Sequence, residues 1–310
     1  MITYRIKVNA LGRITQLLDS QKIFGALMHL LSSCGYTTEV GKLVQEIKHG
    51  ERLFMVSNLM PDGYIATPHG DLEQEGTKTQ KELYQKLKAK KFVSLAEMET
   101  GKRICKIEDY IKIQESQVSQ YRLTSEFYEV PGLKNEMFSV PTIDIVKSLG
   151  DEEVKNYCFC LAVNKTDEIV EKMTECIKAE KCFLRGQRAS QGYNLYEVTD
   201  VIKEDSTLDY ENAMGFLNLG MLLPETIDFN ESKLKLFTSE RRPADYWGSY
   251  QKPHNFISFI EAGSVVYLDA TNELMKSGKS IVNSIYQDGQ EERIIFGNSF
   301  LYPLKEVPKL

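Results

Sequence analysis

NYCFCLAVNKTDEIVEKMTECIKAEKCFLRGQRASQGYNLYEV, residues 156–198, is the stretch on which the fold turns. Residues 157–163 are an apolar strand, and Thr166 or Asp167 is placed to cap a helix. In that helix Ile169, Val170, Met173, Cys176 and Ile177 make one apolar stripe. A connection with two glycines and two arginines follows, and then a strand over Tyr193–Val198. Gly186 and Gly192 permit positive φ and close approach to a ligand, while Arg185, Arg188 and exposed N–H groups suit phosphate oxygens. The same residues also suit a plain helix-to-strand connection, and by themselves they leave both readings open.

Working outward, Tyr4, Ile6, Val8 and Ala10 alternate with Arg5, Lys7 and Asn9, which predicts a strand with one core face and one exposed face carrying two positive charges. Asp19 or Ser20 caps a first helix with Ile23, Phe24, Leu27, Leu30 and Leu31 on one side, ending at Gly35. Val40, Leu43, Val44 and Ile47 define a second helix, ended by Lys48, His49 and Gly50, where the basic residues suit the negative end of its dipole. An apolar strand then runs into Pro61-Asp62-Gly63 turn chemistry, followed by a helical stretch whose Lys81, Lys86, Lys88, Lys90 and Lys91 read as a solvated face. Residues 112–156 lack periodicity and hold prolines, a glycine and aromatics, which fits an excursion such as a long hairpin.

Residues 1–200 thus read β-α, excursions, β-α-β, the element order of a ferredoxin-like (RRM-like) domain with insertions. The acidic stretch TDVIKEDSTLDYEN, 199–212, reads as a linker, which divides the chain into residues 1–205 and a sheet-rich unit over 206–310. The small residues Ala262, Gly263 and Ser264 interrupt an apolar run there and predict a tight turn or bulge.

Composition narrows the chemistry. The 310 residues are 42% hydrophobic, enough for a substantial core, and 38 Lys+Arg against 44 Asp+Glu give a formal charge of -6. Any nucleic-acid site is therefore a local patch. No run of roughly 18 apolar residues occurs, and the first residues read as a strand, so a cytoplasmic protein without signal peptide or membrane contact is expected. The six cysteines include no C-x-x-C pair, and Cys158, Cys160 and Cys176 fall at apolar positions, so buried thiols are expected, with no metal, disulfide or cofactor. Of the four histidines, His29 reads as an interior or boundary residue, His49 as a helix-end cation, and His69 and His254 as loop residues after prolines. Metalloprotease, Walker and nucleophile-elbow motifs are missing, which leaves nucleophilic or metal-dependent catalysis with little support. Arg241, Arg242, Tyr246 and Trp247 combine an arginine pair with aromatics, suited either to RNA contact and base stacking or to a charged loop at a protein interface.

Five segments carry a resemblance. DSQKIFGALMHLL (19–31) resembles the S-D-x-L-F-G-A-L helix opening of RAMP-superfamily CRISPR subunits, and KLKAKKFVSL (86–95) resembles their K-K-x-K-[FY]-[IV]-x segment. LRGQRASQGYNLYEV (184–198) resembles their glycine-rich loop, FISFIEAGSVV (256–266) their F-x-S-F-x-x-G-S-V-[FV] segment, and FGNSFLYPL (296–304) their closing strand. In this order the set is similar to the Cas-five group, in the branch of the fourth Csm subunit of type III-A complexes. Where that family's loop finishes G-x-G, this chain has Gly192-Tyr193-Asn194, and asparagine tolerates left-handed backbone.

The resemblance implies an α+β chain of two ferredoxin-like domains, the first with a thumb-like insertion at about 112–156. It implies a non-catalytic guide-RNA-binding subunit that caps the 5′ tag of the crRNA, docks the large polymerase-like subunit and abuts the repeated backbone RAMP subunit. Ser20, Lys22, Arg185, Gly186, Arg188, Gly192, Tyr193, Arg241 and Arg242 are the RNA-binding candidates. Two alternatives stand beside it. One is a metal-independent endoribonuclease that processes precursor crRNA with His29, Lys22 and Tyr193; the other is a pure protein-interaction module.

Overall fold

A computed structural model describes residues 1–70, 80–122, 136–204, 208–240, 256–269, 274–283 and 294–309. The first half contains β1 (Ile2–Ala10), α1 (Ser20–Ser33), α2 (Thr37–Lys48), β2 (Phe54–Val56), β3 (Met60–Pro61), β4 (Tyr64–Ala66), α3 (Gln80–Ala89), β5 (Phe92–Ser94) and α4 (Leu95–Glu99). Next come β6 (Tyr110–Arg122), β7 (Glu136–Lys147), β8 (Asn156–Val163), α5 (Glu168–Ala179) and β9 (Tyr196–Glu204). The remainder carries β10 (Gly215–Asn218), β11 (Leu236–Glu240), β12 (Phe256–Ile260), β13 (Val265–Val266), β14 (Ile281–Val282), β15 (Ile294–Ile295) and β16 (Leu301–Leu304), with no α-helix among its described residues. The architecture is α+β, and the named strands pair antiparallel throughout the described residues.

The first sheet runs β2-β8-β1-β9, with β3 also on β8. Its helical side follows from the apolar periodicities: Tyr4, Ile6 and Val8 of β1 and Tyr157, Phe159, Leu161 and Val163 of β8 share one core with the α1 stripe and with Val170, Met173, Cys176 and Ile177 of α5. The opposite face of β8 is buried too, because Cys160 and Ala162 pack with Leu217, Leu219, Phe300 and Tyr302 of the C-terminal part. A strand covered on both faces has no polar alternation, which explains the unbroken apolar run of 157–163. The second face of β1 is not bare either: Arg5 pairs with Glu204 at 2.8 Å and Lys7 with Asp62 at 3.1 Å.

Helix ends sit where the chain chemistry puts them. The Asp19 carboxylate accepts from the Lys22 N–H and caps α1, and the Asp167 carboxylate accepts from the Val170 N–H and caps α5. Residues 199–204, expected as linker, continue β9 instead; pairing with β1 as far as Thr3–Glu204 supplies the ladder bonds that outweigh their polar composition. The excursion is a hairpin, with β6 and β7 paired from Ile111–Lys147 to Arg122–Glu136, and its tip lies outside the described residues. A second sheet, β4-β5-β6-β7, carries it. His29 is exposed on α1 rather than interior, because its position falls on the side of the helix away from the stripe.

Two joints tie the C-terminal part to α1. The Met221 N–H donates to the Ser20 hydroxyl at 2.9 Å, and the Gln21 amide donates to the Phe296 carbonyl at 2.6 Å. Phe24 stacks on Phe296 with centroids 4.1 Å apart, and Phe54 meets Phe24 edge-on at 5.8 Å. Burial pushes the Cys160 thiol up to about 12, so this sulfur stays protonated and inert at neutral pH.

Tyr157 and Tyr196 lie edge to face in the core, and burial raises both phenols above the ordinary 10. A raised folded pKa gives stability that is complete below the unfolded pKa and is lost as pH climbs above it. Unfolding free energy should therefore hold until pH 10 and then fall by about 1.4 kcal/mol per pH unit for each phenol. Tyr196→Phe should remove one share of that slope. The Tyr196 hydroxyl has no hydrogen-bond partner among the described residues, so at pH 7 the variant should match the parent within about 1 kcal/mol. Urea titrations across alkaline pH test both statements, and an unchanged slope in the variant would contradict them.

Candidate nucleic-acid interface

Leu184 is fully buried and anchors the start of the glycine-rich loop, whose base is closed by the Tyr196 N–H on the Leu184 carbonyl and an Arg185–Leu195 bridge. Inside, a short 3-10 turn over Ala189–Gln191 is flanked by left-handed Arg188 (φ 61°) and Gly192 (φ 82°). The N–H groups of Gln191, Gly192 and Tyr193, expected from the sequence to meet phosphate, are spent inside the turn on the Arg188 and Ala189 carbonyls, which leaves the arginine side chains as the loop's outward donors. Arg185 and Arg188 are both exposed. Arg185 Nε donates to the Cys182 carbonyl at 3.0 Å with Glu180 at 4.0 Å, and Arg188 donates to the Gln191 side-chain oxygen at 3.2 Å.

Asn194 is the centre of the loop. It is fully buried and left-handed, at φ 50°, a backbone that asparagine tolerates better than other non-glycine residues. It also does what glycine cannot. Its side-chain oxygen accepts from the Thr15 N–H at 2.8 Å, and its amide donates to the Thr15 hydroxyl and the Gln187 carbonyl, each at 2.7 Å. The staple fixes the loop to the β1–α1 connection, where the Asn194 N–H donates to the Arg13 carbonyl and the Leu11 N–H to the Leu195 carbonyl. The two segments touch so closely that a Cβ at Gly12 would lie 2.0 Å from the Gly192 carbonyl oxygen.

Asn194→Gly should keep the turn and lose the staple, costing about 1–3 kcal/mol. Asn194→Ala should cost about 1 kcal/mol more, for the left-handed backbone. Denaturant midpoints give the order, and an Asn194→Gly variant as stable as the parent would show that the staple holds nothing.

The other candidates are spread over different environments. Lys22 is half-exposed, 3.7 Å from the Asp19 carboxylate. Ser20 is fully buried and its hydroxyl is committed to Met221. Tyr193 is buried, at 4% exposure, so its ring is not on the loop's surface for a base to stack on. Arg241, Arg242, Tyr246, Trp247 and His254 lie outside the described residues. Gly12 and Thr15 were not legible as site residues: the only signal was a Gly-Arg pair at 12–13, twin to Arg185-Gly186, in a connection too short for periodicity. Among the described residues there is no cluster of three or more His, Cys, Asp or Glu that could hold a metal, and no helix long and apolar enough to cross a membrane.

No family model matches the chain, and no curated protein matches its sequence. Solved structures do match, end to end. A chain of the Csm1-Csm4 cassette in complex with pppApA has a TM-score of 0.58 at 16% identity, with 99% of each chain covered. A chain of the same cassette with cA4 has 0.57 at 14%, with 100% of each covered. A chain of the Csm3-Csm4 subcomplex of the type III-A CRISPR-Cas interference complex has 0.57 at 15%, covering 98% of this chain and 99% of that one. At such identities the likeness establishes a shared fold.

Proposed function

We propose that the chain is a guide-RNA-binding subunit of a type III, Csm-like CRISPR effector complex. In this reading it caps the crRNA at its 5′ tag, docks the large polymerase-like subunit and abuts the repeated backbone RAMP subunit. The observation that carries it is the end-to-end likeness to chains solved within Csm1-Csm4 and Csm3-Csm4 assemblies. The glycine-rich loop supports it independently, with two exposed arginines on a turn fixed in advance by Asn194. Prior ordering lowers the entropy cost of holding a flexible single strand.

In the same reading residues 1–205 form a ferredoxin-like unit, since the order β2-β8-β1-β9 with α1 and α5 in the crossovers is that of a β-α-β-β-α-β frame. Residues 206–310 form the second ferredoxin-like unit, and the β6–β7 hairpin is the thumb. Arg185, Gly186, Arg188, Gly192 and Lys22 face RNA, Ser20 and Tyr193 support them from within, and Arg241 and Arg242 add a contact from the C-terminal part. The protein acts in the cytoplasm and is non-catalytic: of the three residues an endoribonuclease would use, Tyr193 is buried and Lys22 is drawn to Asp19.

Affinity purification of the tagged chain from cells carrying the rest of the complex tests the reading. Large and backbone subunits with bound guide RNA are expected. Recovery of the chain without RNA would overturn the RNA-binding part, and cleavage of repeat RNA in EDTA by the purified chain would replace it with the endoribonuclease.

A further inference from the structure

The β1–α1 connection, 11–15, lies between two elements and is pinned by both. On one side the Leu11 N–H and the Arg13 carbonyl bond to the glycine-rich loop, and Thr15 holds Asn194. On the other, the Ile143 N–H of β7 donates to the Ile14 carbonyl at 2.8 Å, and buried Ile14 forms an isolated bridge with Ile143. Arg13 sits in the middle of this tether. Its backbone is fixed on either side, its side chain is exposed, and its guanidinium has no carboxylate or carbonyl partner among the described residues. The cations of β1, by contrast, are paired: Arg5 with Glu204 and Lys7 with Asp62.

An exposed arginine left without a counter-ion, in a chain of net charge -6 and on a backbone that cannot relax away, is matched to a ligand that brings its own negative charge. We propose that Arg13 is a further phosphate-binding arginine beside Arg185 and Arg188, and that the β1–α1 connection is a binding edge joining the glycine-rich loop to the base of the β6–β7 hairpin. The ligand class is the phosphodiester backbone of single-stranded RNA. The proposal rests on the RNA-binding reading above, and extends the path of the strand from the 184–195 loop toward the hairpin. Guanidinium suits this role because its planar fork can meet two oxygens of one phosphate.

The test uses the complex purified through the tagged chain, with Arg13→Ala, Arg13→Lys and the control Lys178→Ala on the last turn of α5. RNA retained per complex is measured over a salt series. Arg13→Ala should lower the log-log salt slope by about 0.7 and lower retention roughly tenfold, Arg13→Lys should restore the slope but only part of the retention, and the control should match the parent. Melting temperatures should be unchanged in all, since the side chain is exposed. If Arg13→Ala retains RNA with the parent's slope while Arg185→Ala/Arg188→Ala does not, this proposal fails and the RNA-binding reading stands. If neither variant differs from the parent, or if the parent complex carries no RNA, both fail.

Discussion

Lys90→Ala should lower the unfolding free energy by about 3–5 kcal/mol. The ammonium of Lys90 is buried, at 6% exposure, and donates to the carbonyls of Ile104 and Cys105 at 3.0 Å each and to that of Ile107. It also lies 4.9 Å from the centre of the Tyr110 ring. Those three carbonyls close the 3-10 turn Ile104–Lys106 against the C-terminal end of α3; removing the donor leaves the Ile104 carbonyl only its bond from the Ile107 N–H and takes from those of Cys105 and Ile107 the partner that Lys90 supplies. Against a total stability of about 5–15 kcal/mol for a folded domain, the loss is large enough to show in expression level as well as in a urea melt. Lys90→Met keeps much of the stem's packing and should recover part of the loss. Lys86→Ala, on the exposed side of α3, should stay within about 0.5 kcal/mol of the parent. Equal effects at positions 86 and 90 would show that the ammonium is not what holds the turn.

Burial lowers the Lys90 pKa from the ordinary 10.5, with Cys105 and Glu97 acting in the opposite direction. Between the lowered value and 10.5 the unfolded chain binds more protons than the folded one, so this group alone makes stability rise with pH in that window. The sign is opposite to that of the buried tyrosines, and the two are separable because Lys90→Met removes one and Tyr196→Phe a share of the other.

If the chain binds guide RNA as proposed, Arg185→Ala/Arg188→Ala should release that RNA from the purified complex. Each exposed arginine that meets a phosphate contributes about 0.7 to the single-strand salt slope, so the double variant should lose about 1.4. Affinity should drop roughly tenfold or more per contact. Neither side chain supports the fold: among described residues their contacts are Cys182, Glu180 and Gln191, all in the same surface segment. Melting temperature and recovery of partner subunits should therefore be unchanged. RNA held with the parent's slope would reduce the loop to a helix-to-strand connection.

The elements were legible in the chain where one face is apolar and the other is not. The α1 stripe, the caps at Asp19 and Asp167, the alternation of β1 and the turn at Gly263 all appear at the expected positions. What escaped is whatever depends on partners far along the sequence. Lys90 reads as one more lysine in a solvated row, and only the 104–107 carbonyls, which come to it through the fold, make it interior. Residues 199–204 read as linker because their partner strand lies at the other end of the domain. Ser20 and Tyr193 belong to segments whose composition suggests RNA, yet a motif does not say which of its side chains point inward. The arginines of the loop were legible as cations; their support, through Thr15 and Gly12, was not, because close backbone approach leaves only a glycine and a hydroxyl as its trace.

The position of β1 between β8 and β9 has a consequence for synthesis. β1 lies inside its sheet and leaves the ribosome before either strand it pairs with, since both begin at or beyond residue 156. At about 5–20 residues per second, roughly 7 to 30 s pass between completion of β1 and the start of β8. Throughout that interval an apolar edge with two open sides is exposed to every other nascent chain, the condition under which mispairing begins. The alternate cations Arg5 and Lys7, which end in ion pairs with Glu204 and Asp62, put two like charges on that strand, a pattern that disfavours its pairing with another copy of itself.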